Sequence, residues 1–449
     1  MRILCVGFEP SFIQDVISKW SLSENVALNI LVPGNKNKLS GLITKYPNIS
    51  FNYFPNKETK HHIEIEKSEI NGFTINRIIK SDRVLRNRNH EESISYCKNV
   101  MSLIVEEINN FKPTLIFSTY DNAHSSLSYL VAESNGIKWA SFCFTTIPEG
   151  FCTIATNPFE VDKIFNNKND DDWNFNDSLN LINNSRNNNQ SVFKYIPSFK
   201  FLSHIKNLKS RITLSTGYNK YQWTTITERF SFFVQKSINK IVLRIFLFFQ
   251  KKIDDELNEK YILYLLQMSP ESTVDVWATE YISQIQVIED LSINLPANFK
   301  LFVKIHPSDP GSLSISNFIK IKSLGNVHII SDKFGSKNYL KNAKLVTTIT
   351  GTAALEAFLY SVPSIMFGKH FYSSLPGINY FDRNRAELGL FLKNIIQNKT
   401  DLSVDEKAVA FTNLMSHFNK SRFNNWKIKT SIKQGENFLK LIKNYINNG

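Results

Sequence analysis

The chain has 449 residues, 42% hydrophobic and 21% charged, which is ordinary for a soluble globular protein and long enough for two or three domains. Its four cysteines, Cys5, Cys97, Cys143 and Cys152, show neither metal nor redox spacing and read as free, mostly buried thiols in a reducing compartment. The net charge of +13 is concentrated: between residues 193 and 252, twelve Lys or Arg face one acid, Glu228.

The opening MRILCVGFEP does not read as a signal peptide, because Glu9 and Pro10 cut its apolar run short. Arg2–Val6 is instead expected to be a buried strand, followed by a helix over Ser11–Trp20, a strand over Ala27–Val32 and a long helix over Glu91–Asn110. Pro113–Ser118 reads as a strand that ends in Thr119-Tyr120-Asp121-Asn122. A helix over Ser125–Ser134 and a strand over Lys138–Phe144 come next. This alternation predicts a parallel sheet with helices on both faces. Asn166–Gln190 is polar and low in complexity and reads as a surface loop or a partly disordered insertion.

In the basic region, Lys236, Lys240 and Arg244 recur every fourth residue and would form one stripe on a helix, amid Phe230, Phe232, Phe233, Phe246 and Phe248. The apolar run there, Ile245–Gln250, is too short to cross a bilayer. Such a segment suits an anionic membrane surface. A core helix with snorkelling lysines is the plainer alternative. No nucleic-acid-binding module accompanies the charge, so nucleic acid is not expected as a partner.

A second alternating set follows. Strands are expected over Tyr261–Gln267, Lys300–Ile305, Asn326–Ile330, Leu345–Ile349 and Ser364–Phe367, with helices over Thr279–Ile293 and Ala353–Tyr360. Two such domains in series predict a cleft between facing strand ends. Three strand ends carry unusual polar residues. In LQMSPES, Pro270, Glu271 and Ser272 stand where a helix can begin, with Ser269 as its cap. In LFVKIHP, Lys304 and His306 are two apart and on a strand would point the same way. In TITGTAALEA, Gly351 permits a sharp turn, Thr352 is placed to cap a helix of small residues, and Glu356 lies one turn in. Unpaired amides at that helix start suit a phosphate, and Glu356 suits ribose hydroxyls. An ordinary βα turn explains Gly351-Thr352 equally well.

Taken in order, LQMSPES, VKIHP, TTITGTAALEA and PSIMFGKHFY resemble the capsule polysaccharide biosynthesis glycosyltransferases, which include bacterial β-Kdo transferases that use CMP-activated ulosonic acids. The resemblance covers residues 261–372, with a weaker echo in PEGFCTIATNPFE, which lacks the arginine and proline that usually follow its aromatic residue. It implies an α/β enzyme of the GT-B type, with two Rossmann-like doubly wound domains facing a central cleft. Residues 1–255 would form an acceptor domain carrying the basic helical insertion at 193–252. Residues 256–425 would bind the nucleotide sugar, and a final helix within 426–449, expected over Thr430–Ile446, would cross back to the first domain. The resemblance further implies that His306 and Pro307 contact the CMP phosphate, with amide and hydroxyl contacts from Gly351 and Thr352. No Asp-x-Asp motif stands at a fitting strand end, so neither metal nor cofactor is expected. Fixed dipoles, Lys304 and His306 would stabilise the leaving CMP.

Transfer also needs a base or a nucleophile. Asp121 ranks first, Glu149 second and Glu9 third, although each also suits a helix cap. His124, close to Asp121, is expected at the surface. The expected function is transfer of a ulosonic or nonulosonic acid (Kdo-like, or sialic- or pseudaminic-like) from a CMP-sugar to a glycan or glycolipid acceptor, at the inner face of the cytoplasmic membrane. A UDP-sugar transferase, a sugar-nucleotide 2-epimerase on the same fold and a non-catalytic scaffold of a polysaccharide assembly complex are the alternatives.

Overall fold

The computed structural model describes the chain apart from residues 9–11, 22–24, 35–40, 42, 55–71, 167, 169–171, 188–219, 249–259, 307–308, 331–335, 383, 399–400, 422–431 and 449. Six strands come first: β1 (Arg2–Val6), β2 (Ala27–Val32), β3 (Ser50–Tyr53), β4 (Leu115–Ser118), β5 (Lys138–Thr146) and β6 (Glu149–Ala155). They are followed by β7 (Tyr261–Leu265), β8 (Lys300–Lys304), β9 (Val327–Ile330), β10 (Leu345–Thr348), β11 (Ser364–Met366), β12 (Ile378–Tyr380) and a short β13 (Asn419–Lys420).

These strands form two sheets, ordered β13-β6-β5-β4-β1-β2-β3 and β12-β11-β10-β7-β8-β9. The second sheet is parallel throughout. The first is parallel from β5 to β3, but β6 and β13 add an antiparallel edge that the alternation did not predict. The central strands read as continuous apolar runs because helices cover both of their faces. In the second sheet, for example, Ile262, Tyr264, Leu301 and Val303 pack to one side, and Tyr261, Leu263 and Phe302 to the other. The α/β class with two Rossmann-like sheets is therefore the one expected.

The chain divides into two compact units. The first holds the described residues of 1–169, 200–226 and 417–449, and the second those of 170–199 and 227–416. The helix Ile432–Asn448 belongs to the first unit, where Phe438, Leu439, Leu441, Ile442 and Tyr445 enter the same core as Trp20 and Phe142. The Tyr445 hydroxyl donates to the Trp139 carbonyl (3.0 Å), and Lys138 Nζ donates to the Ile446 carbonyl (2.7 Å), where a cation suits the helix end.

Two expectations need correction here. The basic helix, Ile226–Phe248, packs with the second unit, not as an insertion of the first: Leu243 lies in that unit's core and Asn239 donates to the Gly311 carbonyl. The polar stretch 166–190 contains a helix, Phe175–Asn187, where a loop was expected. Ser178, Ile182 and Ser185 form its buried stripe, and Asn174 and Asp177 exchange hydrogen bonds at its start. The helical period is present, but two of its three buried positions are serines, which hydropathy does not register.

Each sheet has a point where chain order reverses, and open α/β sheets bind ligands outside the carboxyl ends of the strands at such a point. In the first unit it lies between β1 and β4, and in the second between β7 and β10.

Candidate functional site

At the second unit's switch point, β7 runs on into Leu266-Gln267 and β10 into Ile349-Thr350-Gly351. The buried Gln267 side chain bridges the two ends. Its Oε1 accepts the Thr350 backbone N–H (2.9 Å), and its Nε2 reaches the hydroxyls of Thr350 (3.4 Å) and Thr273 (3.5 Å). Gln284 holds Gln267 in turn, accepting from its backbone N–H and donating to its carbonyl, both at 2.9 Å. From the far side, the Tyr372 hydroxyl donates to the Thr350 carbonyl (2.8 Å). The turn is thus fixed by buried side chains on both flanks, so its geometry does not wait for a ligand.

Gly351 is required at this turn for a different reason from the one expected. Its backbone is not left-handed. Instead, an added Cβ would lie 2.7 Å from Thr348 Oγ1 and 3.5 Å from the Gln267 amide group. The constraint is lack of room, as where a backbone must approach closely. Thr352 also differs: its residue is helical and its side chain makes no capping hydrogen bond to the seven-residue helix Ala353–Leu359. Glu356, one turn in, is half-buried, and burial pushes its carboxyl up to about 7.

Beside β7 on its other side, β8 ends at Lys304, so no strand carries the alternation that was expected to aim Lys304 and His306 together. Lys304 is buried, its Nζ near the Ile305 carbonyl (3.4 Å). His306 is half-buried. Burial holds its imidazole below the usual histidine range, Lys304 adds to that, and Asp309 opposes it. The imidazole is therefore a neutral hydrogen-bonding group at pH 7. Strand order puts the ends of β8 and β10 two strand spacings apart, roughly 10 Å. Ser269 and Pro270 are half-buried on the loop after β7. The short helix Ser272–Asp275 begins at Glu271, whose carbonyl accepts from the amides of Val274 (3.1 Å) and Asp275 (2.8 Å). Pro307 lies outside the described residues.

In the first unit, Asp121 is exposed just beyond β4, and Glu149 is exposed at the start of β6, across a turn from the end of β5. Both stand at the carboxyl edge of that sheet. Glu9 lies outside the described residues. The loop bearing Asp121 is anchored from below: Asn122 Oδ1 accepts the Ser125 N–H (3.0 Å), and Asp82 Oδ2 accepts the Ala123 N–H (2.9 Å). His124, expected at the surface, is buried there. It stacks on Phe54 with ring centroids 4.2 Å apart, and its Nε2 shares a 2.7 Å hydrogen bond with the Tyr96 hydroxyl. Burial lowers its pKa to about 4.

Gln267 and Tyr372 were not among the expected site residues, and Thr350 was expected only as part of the turn, although all three lie inside the motif stretches. A polar residue that closes an apolar run, as Gln267 does in YILYLLQ, was the available signal. Among the described residues, no group of three or more His, Cys, Asp or Glu is placed to hold a metal ion.

Residues 202–389 match the model of the family described as capsule polysaccharide biosynthesis protein, over the part of the chain that contains this switch point. No curated protein sequence matches the chain. Solved structures similar to it include the UDP-GlcNAc 2-epimerase of Methanocaldococcus jannaschii, at 14% identity, 99% coverage of each chain and a TM-score of 0.28. An Anabaena protein, Alr3699/HepE in complex with UDP, is 10% identical, with 98% of this chain and 99% of that one covered and a TM-score of 0.31. Agreement at this level is too low to carry residue roles across.

Proposed function

We propose that this protein, which carries the capsule polysaccharide biosynthesis signature over residues 202–389, is a glycosyltransferase whose second unit binds a CMP-activated ulosonic or nonulosonic acid. The observation that carries this reading is the Gln267–Thr350 clasp at the second sheet's switch point. It holds a glycine that has no room for a side chain at the place where open α/β sheets receive ligands.

In this reading the donor phosphate lies against the Thr350-Gly351-Thr352 turn. The neutral His306 imidazole donates a hydrogen bond to it. Lys304 acts from within the sheet edge as a fixed positive charge, and Glu356 accepts from ribose hydroxyls. Residues 269–272 border the same end of β7. Preorganised donors of this kind stabilise charge that develops on the leaving phosphate. The acceptor hydroxyl attacks the anomeric carbon, the bond from that carbon to the phosphate oxygen breaks, and CMP leaves. The acceptor's proton passes to a general base, for which Asp121 is the first candidate, ahead of Glu149 and Glu9. The reaction uses no metal, so turnover is expected to be unchanged in excess EDTA.

The test is a donor screen with CMP-Kdo, CMP-nonulosonates and UDP-hexosamines, followed by CMP release and by product analysis. The proposal requires CMP release from at least one CMP-sugar, and a loss of about 10²–10⁴-fold in kcat on Asp121→Asn, the usual worth of a general base. Interconversion of a UDP-sugar without CMP release would replace it with an epimerase.

A further inference from the structure

The basic helix Ile226–Phe248 turns the wrong face outward for a protein in water. Towards its own unit it presents Lys236, paired with Asp309; Asn239, bonded to Gly311; and Leu243, buried in the core. Its backbone comes so close that a Cβ on Gly311 would clash with the Lys236 carbonyl. The helix is therefore held firmly, and the side facing away is apolar. Phe230 (59% exposed), Ile238 (51%), Ile241 (60%) and Ile245 (55%) lie along it, with Val234 between them. At about 100° per residue these five fall within an arc of roughly 80°, one ridge along the helix.

The basic residues border one side of this ridge instead of forming the contact stripe themselves. Arg244 falls about 40° beyond one edge of the arc, and Lys240 and Arg229 lie further round on that side, while Lys236 is turned inward. Glu228 is the sole acid in the window 193–252, against twelve Lys or Arg. Among the described residues, no helix is long and apolar enough to cross a membrane. An apolar ridge bordered by cations, on a helix too polar to span, has the geometry of a segment lying in the plane of a lipid interface.

We infer that this helix docks the protein on an anionic lipid surface, with Phe230, Val234, Ile238, Ile241 and Ile245 sinking among the acyl chains and Lys240 and Arg244 meeting the headgroups. The charge balance favours lipid over a second copy of this chain, which would bring the same strongly positive segment against itself. The inference stands independently of the donor assignment.

The test is co-sedimentation of the full chain with phosphatidylglycerol-containing vesicles and with pure phosphatidylcholine, alongside light scattering. The parent is expected to bind the anionic vesicles preferentially. The triple variant Phe230→Ser, Ile241→Ser, Ile245→Ser should bind at least tenfold more weakly with an unchanged unfolding midpoint, since all three side chains are exposed. Lys240→Gln with Arg244→Gln should reduce the preference for anionic lipid while leaving binding that persists in high salt. Equal vesicle binding by the parent and the triple variant would overturn the inference. So would a parent that ignores vesicles, or a triple variant whose sole effect is to dissociate an oligomer.

Discussion

At the residue scale, Gln267 and Glu356 make opposite demands. Gln267 is buried and satisfies the Thr350 amide, so Gln267→Ala should strand that N–H, at a cost of about 1–3 kcal/mol in a denaturant titration. The same variant should raise KM for the donor more than it lowers kcat, because the turn it frees is a binding surface. Glu356 has a folded-state carboxyl raised from 4.5 to about 7 by burial. Its protonated form is thus favoured in the folded protein, and stability should fall as pH rises from about 4.5 through 7. Glu356→Gln should remove that dependence, leaving the variant more stable than the parent above pH 7 by on the order of 1–3 kcal/mol. If the two unfolding curves run parallel across this range, the Glu356 carboxyl is not raised in the folded protein. Donor binding should show the reverse trend, strengthening as the carboxylate forms to receive ribose hydroxyls.

At the element scale, the loop that presents Asp121 depends on a helix start fixed by Asn122, Asp82 and the buried His124–Tyr96 pair. His124 has its pKa lowered from 6.5 to about 4, so the folded state resists protonating it. Stability contributed by the neutral imidazole should be lost as pH falls from 6.5 towards 4, and His124→Gln should flatten that limb of the stability profile. Elements of this kind were largely legible in the sequence. The central strands of both sheets, the helix His90–Phe111 and the final helix announce themselves through period and length, whereas β3, β6, β12 and β13 carried no such signal. The helix Phe175–Asn187 escaped because its buried stripe contains two serines among many asparagines. The outward face of Ile226–Phe248 escaped because spacing shows that a stripe exists but not which stripe faces the core. That choice is made by Asp309 and Gly311, more than seventy residues away. The candidate site was legible as a set of strand ends. Its clasp was not, because the bond between Gln267 and Thr350 joins strands that only the tertiary order makes adjacent.

At the scale of the whole molecule, the chain folds into two units, each with a parallel core and its own switch point, and the first unit is completed by the last residues of the chain. Five large side chains of Ile432–Asn448 lie in that first core. At about 1.5–3 kcal/mol for each buried apolar side chain, removing the helix costs as much as a typical domain's entire stability. A chain ending at residue 425 should therefore lose the first unit's thermal transition and keep the second's, as read by calorimetry.

Whether the Thr350-Gly351 turn receives a cytidine nucleotide can be read by titration calorimetry of CMP and UDP against the full chain. Parent protein should bind CMP at least tenfold more tightly than UDP. Gly351→Ala, which pushes a methyl group into Thr348, should weaken CMP at least tenfold while the melting temperature stays within a few degrees. CMP binding of equal strength in parent and variant, or none in either, would contradict a cytidine site at this turn.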